Sequence, residues 1–322
     1  MDKNSDMLSV VIPTTRPDML AETIRSVKNQ KYPDFEIIVV DNSINSYSSV
    51  QIKKICYSEG VRYVKEENEG LHNTRNRGVI ESKGNIVVFT DDDAKVGEKF
   101  LEEIVKPFSM FNNIGAVGGK VIGVFESSPP PHMRYLKYSY LSLLDYGNEM
   151  KEVSHINGNN MAILKKAWED AGGFNPELFQ KPKNIWKIGD GESGLWAKMI
   201  QKGWKIIYTP YAVVEHYIPK ERMSIPNLKK IAFRHGIQMS YSKFFGGRFP
   251  PRPILLMRSG AFLLIFLMEK MMSLITKYPK SARYEVDSEL YKARAMYEMK
   301  LVYDQRLREH VSRTNWIEEV KR

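Results

Sequence analysis

Cysteine is all but absent: of 322 residues only Cys56 carries a thiol. A lone cysteine has no partner within the chain, which excludes an internal disulfide and makes a reducing compartment the simplest expectation. Long apolar runs are scarce too. The most apolar segment, Ile254–Ile275, is interrupted by Arg258 and Glu269 and leaves only Ser259–Met268 uncharged. A membrane-spanning helix needs about 20 mostly apolar residues, so a span is not expected. The start, Met1-Asp2-Lys3-Asn4, lacks a basic stretch followed by an apolar one, and no signal peptide is expected. No internal repeat occurs. No GxGxxG follows a strand, which disfavours a dehydrogenase. No zinc-finger, RNP or basic-zipper pattern appears, so nucleic acid is not an expected partner. At 43% hydrophobic and 27% charged residues the chain is neither disordered nor fibrous. Its length suits one large domain or two unequal ones.

What is present is a formal charge of +10, and it is unevenly placed. Through His216 there are 27 basic and 28 acidic residues; from Tyr217 onward there are 21 and 10. The whole excess sits in the last third. The expected division is therefore a domain over residues 1–222 and a helical, basic region over 223–322.

The first part alternates short apolar runs with amphipathic stretches. Leu8–Thr14, Phe35–Val40, Arg62–Lys65 and Ile86–Thr90 read as strands, with Met19–Asn29, Val50–Ser58 and Thr74–Ser82 as helices between them. Asp18 is a candidate N-cap for the first helix. Further strand signals lie at Ala116–Val124 and Met161–Leu164, and Ile206–His216 reads as two short strands around Pro210. Alternation of this kind implies an α/β fold, a mostly parallel sheet flanked by helices. Such sheets bind ligands beyond the carboxyl ends of their strands. There the sequence places Thr14-Thr15-Arg16, Asp41-Asn42 and Asp91-Asp92-Asp93. Asp and Asn are also ordinary turn formers, but three strand ends supplying polar groups to one edge favour a nucleotide-like ligand. Three adjacent carboxylates repel one another unless a cation balances them. Hard divalent ions take carboxylate oxygen, and Mg²⁺ commonly shares its shell with substrate phosphates.

Five segments in order carry a resemblance: VVIPTTRP, VVDNS, GLHNTRNRGV before VVFTDDD, INGNNMAILKKAWEDAGGF and GDGESGLWAKMIQKGWKIIYTPYAVVEH. Over Leu8–His216 the chain resembles the family 2 glycosyltransferases. The resemblance implies a GT-A fold, a nucleotide-diphosphate sugar donor, inversion at the anomeric carbon, and Mn²⁺ or Mg²⁺ as cofactor. It puts Pro13, Thr14 and Thr15 around base and ribose, Asp41 on the nucleobase, and Asn73, Arg75, Asn76 and Gly78 along the nucleotide pocket. Asp91 and Asp92 would face ribose and diphosphate, and Asp93 the metal, with His216 near metal or diphosphate. Glu192 falls at the general-base position with Asp190 as its rival, because the local order is Gly189-Asp190-Gly191-Glu192. A helix-start carboxylate is also favoured by the dipole alone. Asn157, Asn159 and Asn160 are candidates for sugar or acceptor hydroxyls, or an Asn-rich turn. Trp186 and Trp196 are candidates for sugar stacking or for the core.

In the last third, Arg234-His235-Gly236 resembles an Arg-rich helix that follows the catalytic region in many relatives. Residues 254–275 fit a helix in a membrane interface or on a partner, or equally one closing the catalytic domain. The expectation is transfer of one sugar, from UDP as the family's default nucleotide, to a hydroxyl of a glycan or lipid-linked glycan in cell-surface polysaccharide or lipopolysaccharide assembly, by a cytoplasmic protein peripheral at the inner face of an anionic membrane. No QxxRW pattern is present, which disfavours a processive synthase. The alternatives are an inactive nucleotide-binding or membrane-anchoring module, and a sugar nucleotidyltransferase. The latter would need a Gly-rich phosphate loop after the first strand, which is missing.

Overall fold

Continuous apolar runs become strands buried on both faces. β1 (Leu8–Thr14), β2 (Phe35–Asp41), β3 (Arg62–Lys65) and β4 (Ile86–Thr90) pair in parallel. The computed structural model describes residues 7–176 and 191–317. Beyond β4 the sheet turns mixed through β5 (Ala94–Val96), β6 (Ile114–Phe125), β7 (Lys151–Glu152), β8 (Asn160–Leu164) and β9 (Lys205–Ile218). The order is β3-β2-β1-β4-β8-β6-β9-β5, with β7 on β9. This is the mostly parallel α/β sheet expected.

Side chains alternate between the two faces of each strand. Val10, Ile12, Val39 and Val88 pack under α1 (Leu20–Lys28), α2 (Ser46–Glu59) and α4 (Phe100–Met110). Val11, Ile38, Val40 and Phe89 face α3 (Leu71–Glu81), α5 (Lys165–Asp170) and α6 (Gly191–Gln201). Gly78 of α3 lies so close to β1 that a Cβ there would collide with Val11. The first helix has Met19 at its cap without a side-chain bond, so Asp18 does not cap it.

One expectation is corrected. The segment read as two short strands around Pro210 is a single strand, β9. It passes Pro210 by a bulge: Gly119 of β6 pairs with Thr209, and Lys120 next pairs with Val213. The three residues between are left out of the ladder, which removes the need for a proline N–H. Asn160 clasps the bulge, its amide donating to the carbonyls of Lys120 and Ala212 at 2.9 and 2.8 Å.

The last third is helical: α7 (Ile225–Phe244), α8 (Arg252–Ile275), α9 (Ser281–Tyr303) and α10 (Gln305–Ser312). It shares core with the sheet region. Leu228, Ala232 and Val286 cluster with Met133, Leu136, Tyr140 and Leu141. The chain then returns to the body, where the Trp316 N–H donates to the Gly172 carbonyl at 2.9 Å and the indole is fully buried.

Candidate active site

Strand ends converge as the sheet topology requires. Asp91-Asp92-Asp93 leaves β4 and runs into β5, which pairs Ala94 with His216 of β9. That register sets the His216 Nε2 3.4 Å from Asp93 Oδ1, and the Tyr217 N–H donates to the Asp93 carbonyl at 3.0 Å. From the end of β1, the Thr14 hydroxyl donates to Asp92 Oδ2 at 2.6 Å. Arg16 bridges the last two carboxylates, 3.3 Å from Asp92 Oδ1 and in direct contact with Asp93. Thr15, beside it, is exposed, and Pro13 is buried in β1.

The three carboxylates titrate differently. Burial, with Asp91 and Asp93 alongside, pushes the Asp92 carboxyl up to about 6 against the pull of Thr14 and Arg16. Burial also raises Asp91 in spite of nearby Arg75. Burial opposes ionisation of Asp93, but His216, Arg16 and Arg222 outweigh it and hold it below the usual range.

The second half of the site hangs on Arg75 of α3. Its guanidinium is buried, pairs with Glu192 at the first turn of α6, and reaches Asp91 Oδ1 at 3.5 Å. Gly158, in the turn before β8, makes the pair possible: a Cβ there would collide with both the Glu192 carboxylate and the Arg75 guanidinium. Burial alone would raise Glu192, yet Arg75 and His72 pull it down to about 2. His72 is fully buried against Phe174, ring centroids 5.3 Å apart, and burial lowers it to about 3.

Asp91, Arg75 and Glu192 line a cleft of about 840 Å³ together with His155, Asn157, Gly158, Asn159 and Arg222. The Asn157 amide donates to the Ser142 carbonyl at 2.9 Å, and the Asn159 amide to the same atom at 3.4 Å. Its far wall is one face of α7, where Asn227, Ile231, Arg234, His235 and Gln238 recur at helical spacing. Sequence reasoning missed Gly158, His155, Ser142 and Arg222. Arg222 donates to Ser142 Oγ at 3.1 Å and lies 3.4 Å from His216 Nε2, and burial lowers it. Its spacing from His216 was the one available signal.

Other sequence candidates are spent inside the protein. Asn76 is fully buried; its amide donates to the Phe174 carbonyl while its Oδ1 accepts from Trp168 Nε1 and the Phe174 N–H. Asn160 holds the β9 bulge, Gly78 the α3–β1 approach, and Asn73 donates to the Glu69 carbonyl at 3.0 Å. Trp196 is core, its indole donating to the Ile156 carbonyl. Asp41 is fully buried and accepts from Ser43 N–H, Ser49, Tyr63 and Lys65. Burial opposes its ionisation, but these donors, led by Ser43 and Ser49, hold it below the usual range. A base reaching Asp41 would have to take over one of those bonds. Asp190 and Trp186 lie outside the described residues.

Among the described residues no three His, Cys, Asp or Glu side chains gather closely enough to cage a metal unaided. The donor set still suits a hard divalent cation that borrows ligands from a phosphorylated substrate. Asp93 and His216 adjoin, and Asp91 Oδ1 and His216 Nδ1 are buried without a hydrogen-bond partner.

Sheet, cleft and sequence together place the protein among the glycosyltransferases. Residues 9–171 match the family described as glycosyl transferase family 2, and the chain belongs to that family. It is 26% identical over 243 residues to a glucosyl-dolichyl phosphate glucuronosyltransferase of Haloferax volcanii, covering 73% of this chain and 76% of that protein. It is 36% identical over 186 residues to a GalNAc(5)-diNAcBac-PP-undecaprenol beta-1,3-glucosyltransferase of Campylobacter jejuni, covering 56% and 58%. The match thus spans less than two thirds of the Campylobacter protein. Among solved structures, S. aureus TarS 1–349 in complex with UDP aligns over 91% of this chain and 90% of its own, at 15% identity and a TM-score of 0.47.

Proposed function

We propose that the protein transfers one sugar from a nucleotide diphosphate, with UDP first among the nucleotides to test, to a hydroxyl of a lipid-linked or polysaccharide acceptor, with inversion. The observation that carries this is the adjacency of two chemistries: Asp91, Arg222 and the Arg75–Glu192 pair line the cleft, and Asp92, Asp93, Arg16 and His216 contact one another directly beside it. The activities for which the Haloferax and Campylobacter relatives are named support a lipid-linked acceptor.

In this reading Thr14 and Thr15 lie along the nucleoside, and the guanidinium groups of Arg16 and Arg222 meet the diphosphate. Asp93 and His216 would hold Mn²⁺ or Mg²⁺, which when bound neutralises charge on the departing diphosphate. The acceptor hydroxyl oxygen attacks the anomeric carbon from the side away from the diphosphate. The carbon–oxygen bond to the nucleotide breaks as the new one forms, and the Glu192 carboxylate takes the hydroxyl proton. Asn157, Asn159 and the α7 face supply hydrogen-bonding groups for the acceptor.

The test is a screen of UDP-, GDP- and dTDP-sugars for Mn²⁺-dependent hydrolysis, with thermal stabilisation by the free nucleotides read in parallel. One nucleotide should stabilise the wild type and fail with Asp93→Ala. If none does, the donor assignment falls. Glu192→Gln should bind nucleotide normally and lose roughly 10²- to 10⁴-fold in transfer. Near-normal turnover would remove Glu192 as the base.

A further inference from the structure

The most apolar helix of the protein is among its least buried. Over the 24 residues of α8, only Leu255 and Ser259 are buried. Met257, Leu264, Leu267, Met268, Met271 and Leu274 stand exposed, Leu264 at 64% and Leu274 at 86%. Spacings of three and four residues put them on one side of the helix. A surface helix ordinarily turns its apolar side to the core and its charges to water. Here the arrangement is reversed. Arg258 points inward and forms a two-pronged pair with the fully buried Glu298 of α9, at 2.8 and 2.9 Å. Its guanidinium also lies over the rings of Phe244 and Phe262, 5.3 and 5.7 Å from their centroids. Glu269 is half-buried, and burial raises its carboxyl above the usual range. From Met257 to Leu274 the exposed residues are apolar, and Lys270, the remaining charge, is half-buried at the margin of that side; contiguous exposed apolar surface marks an interaction site.

Basic residues stand at both ends of that strip. Arg248 and Arg252 precede or open α8, and Lys277 and Lys280 follow it. All four are exposed, and none has a carboxylate partner among the described residues. No described helix is long and apolar enough to cross a membrane. The charges also bear on what covers the strip. A second copy pairing antiparallel on this face would set Arg248 and Arg252 against Lys277 and Lys280, like against like. Anionic headgroups would neutralise both ends.

We infer that α8 lies flat in the interface of an anionic lipid bilayer, its apolar side among the upper acyl chains and its basic ends on the headgroups. This goes beyond the proposed reaction and does not depend on it. The experiment is flotation of the full chain with vesicles of phosphatidylglycerol and phosphatidylethanolamine, and with phosphatidylcholine vesicles as the neutral arm. The wild type should float with the anionic vesicles, and at least tenfold less should float with the neutral ones. Leu264→Glu with Met268→Glu should cut flotation at least tenfold while leaving the thermal midpoint unchanged, because both side chains face outward. Wild-type protein that stays unbound, or a double variant that floats normally, overturns the inference. So does a lipid-free dimer in sedimentation velocity that the double variant dissociates, since the strip would then belong to a second copy. Should the double variant prove unstable, Met268→Cys serves instead. Cys56 is buried, so an environment-sensitive fluorophore would label position 268 selectively. Its emission should shift to the blue on adding anionic vesicles, and an unshifted spectrum overturns the inference.

Discussion

Glu192 and Arg75 hold one another at the wall of the cleft, the arginine buried and the carboxylate partly exposed, and the chemistry of each depends on the other. A carboxyl held near 2 is ionised at every working pH, so Glu192 should add no acid limb between pH 5 and 8, and the limb expected in the wild type is that of Asp92, near 6. Arg75→Met removes the largest pull against burial, leaving only His72 and a backbone hydrogen bond, which moves the Glu192 carboxyl upward. Activity of the variant should then show an additional acid limb at that higher value, which the wild type lacks. Profiles of kcat/KM against pH for the two proteins check this; parallel profiles would show that Arg75 does not set the state of Glu192. Residue type alone revealed little of this scale. Asn76, Asn157 and Asn160 look alike in sequence and each donates its amide to a backbone carbonyl, yet only Asn157 of the three lines the cleft. A polar side chain declares what it is able to bond, and the chain's path decides what it meets. Gly158 was invisible for the same reason: its importance is the passage of two distant side chains.

Strands and helices were more legible, because their signals are local. β1 and β4 are mostly apolar runs, and the polar residues at their ends meet in the structure, Thr14 and Arg16 contacting the Asp92 and Asp93 carboxylates. β9 misled because proline ordinarily ends a strand, and the bulge that accommodates it is made by β6 and by Asn160 on β8. Replacing Asn160 with Ala strips two buried carbonyls of their donor and should cost about 1–3 kcal/mol, measured by denaturant unfolding. The place of α7 over the cleft was equally hidden, since it depends on α9. At Gly236 the two helices come so near that a Cβ would collide with the Leu290 carbonyl and sit 2.8 Å from the Ala293 Cβ. Backbone cannot yield cheaply, so Gly236→Ala should lower stability by about 1–3 kcal/mol. It should also raise KM for the acceptor while nucleotide affinity stays unchanged. An unaltered acceptor KM would separate α7 from acceptor binding.

For the whole molecule, the uneven charge marks where the chain changes composition. The packing is continuous across that point, because Leu228, Ala232 and Val286 complete a cluster begun by Met133–Leu141. Thermal unfolding should therefore show one transition. Trp316→Ala, which empties a fully buried site near the chain's far end, should lower the stability of the entire protein by about 3–5 kcal/mol. Two calorimetric transitions, with only the second moved by the variant, would contradict that coupling.

The bond from Trp316 to Gly172 also has a meaning in time. On the ribosome, Gly172 and Gly173 emerge well ahead of the residues that cover them, Trp316 and Ile317. At about 5–20 residues per second the interval is on the order of ten seconds. Throughout it the cluster containing Trp168 and Phe174 lacks the Ile317 side chain that packs against it. The packing there is therefore completed only once residues 314–317 have been made.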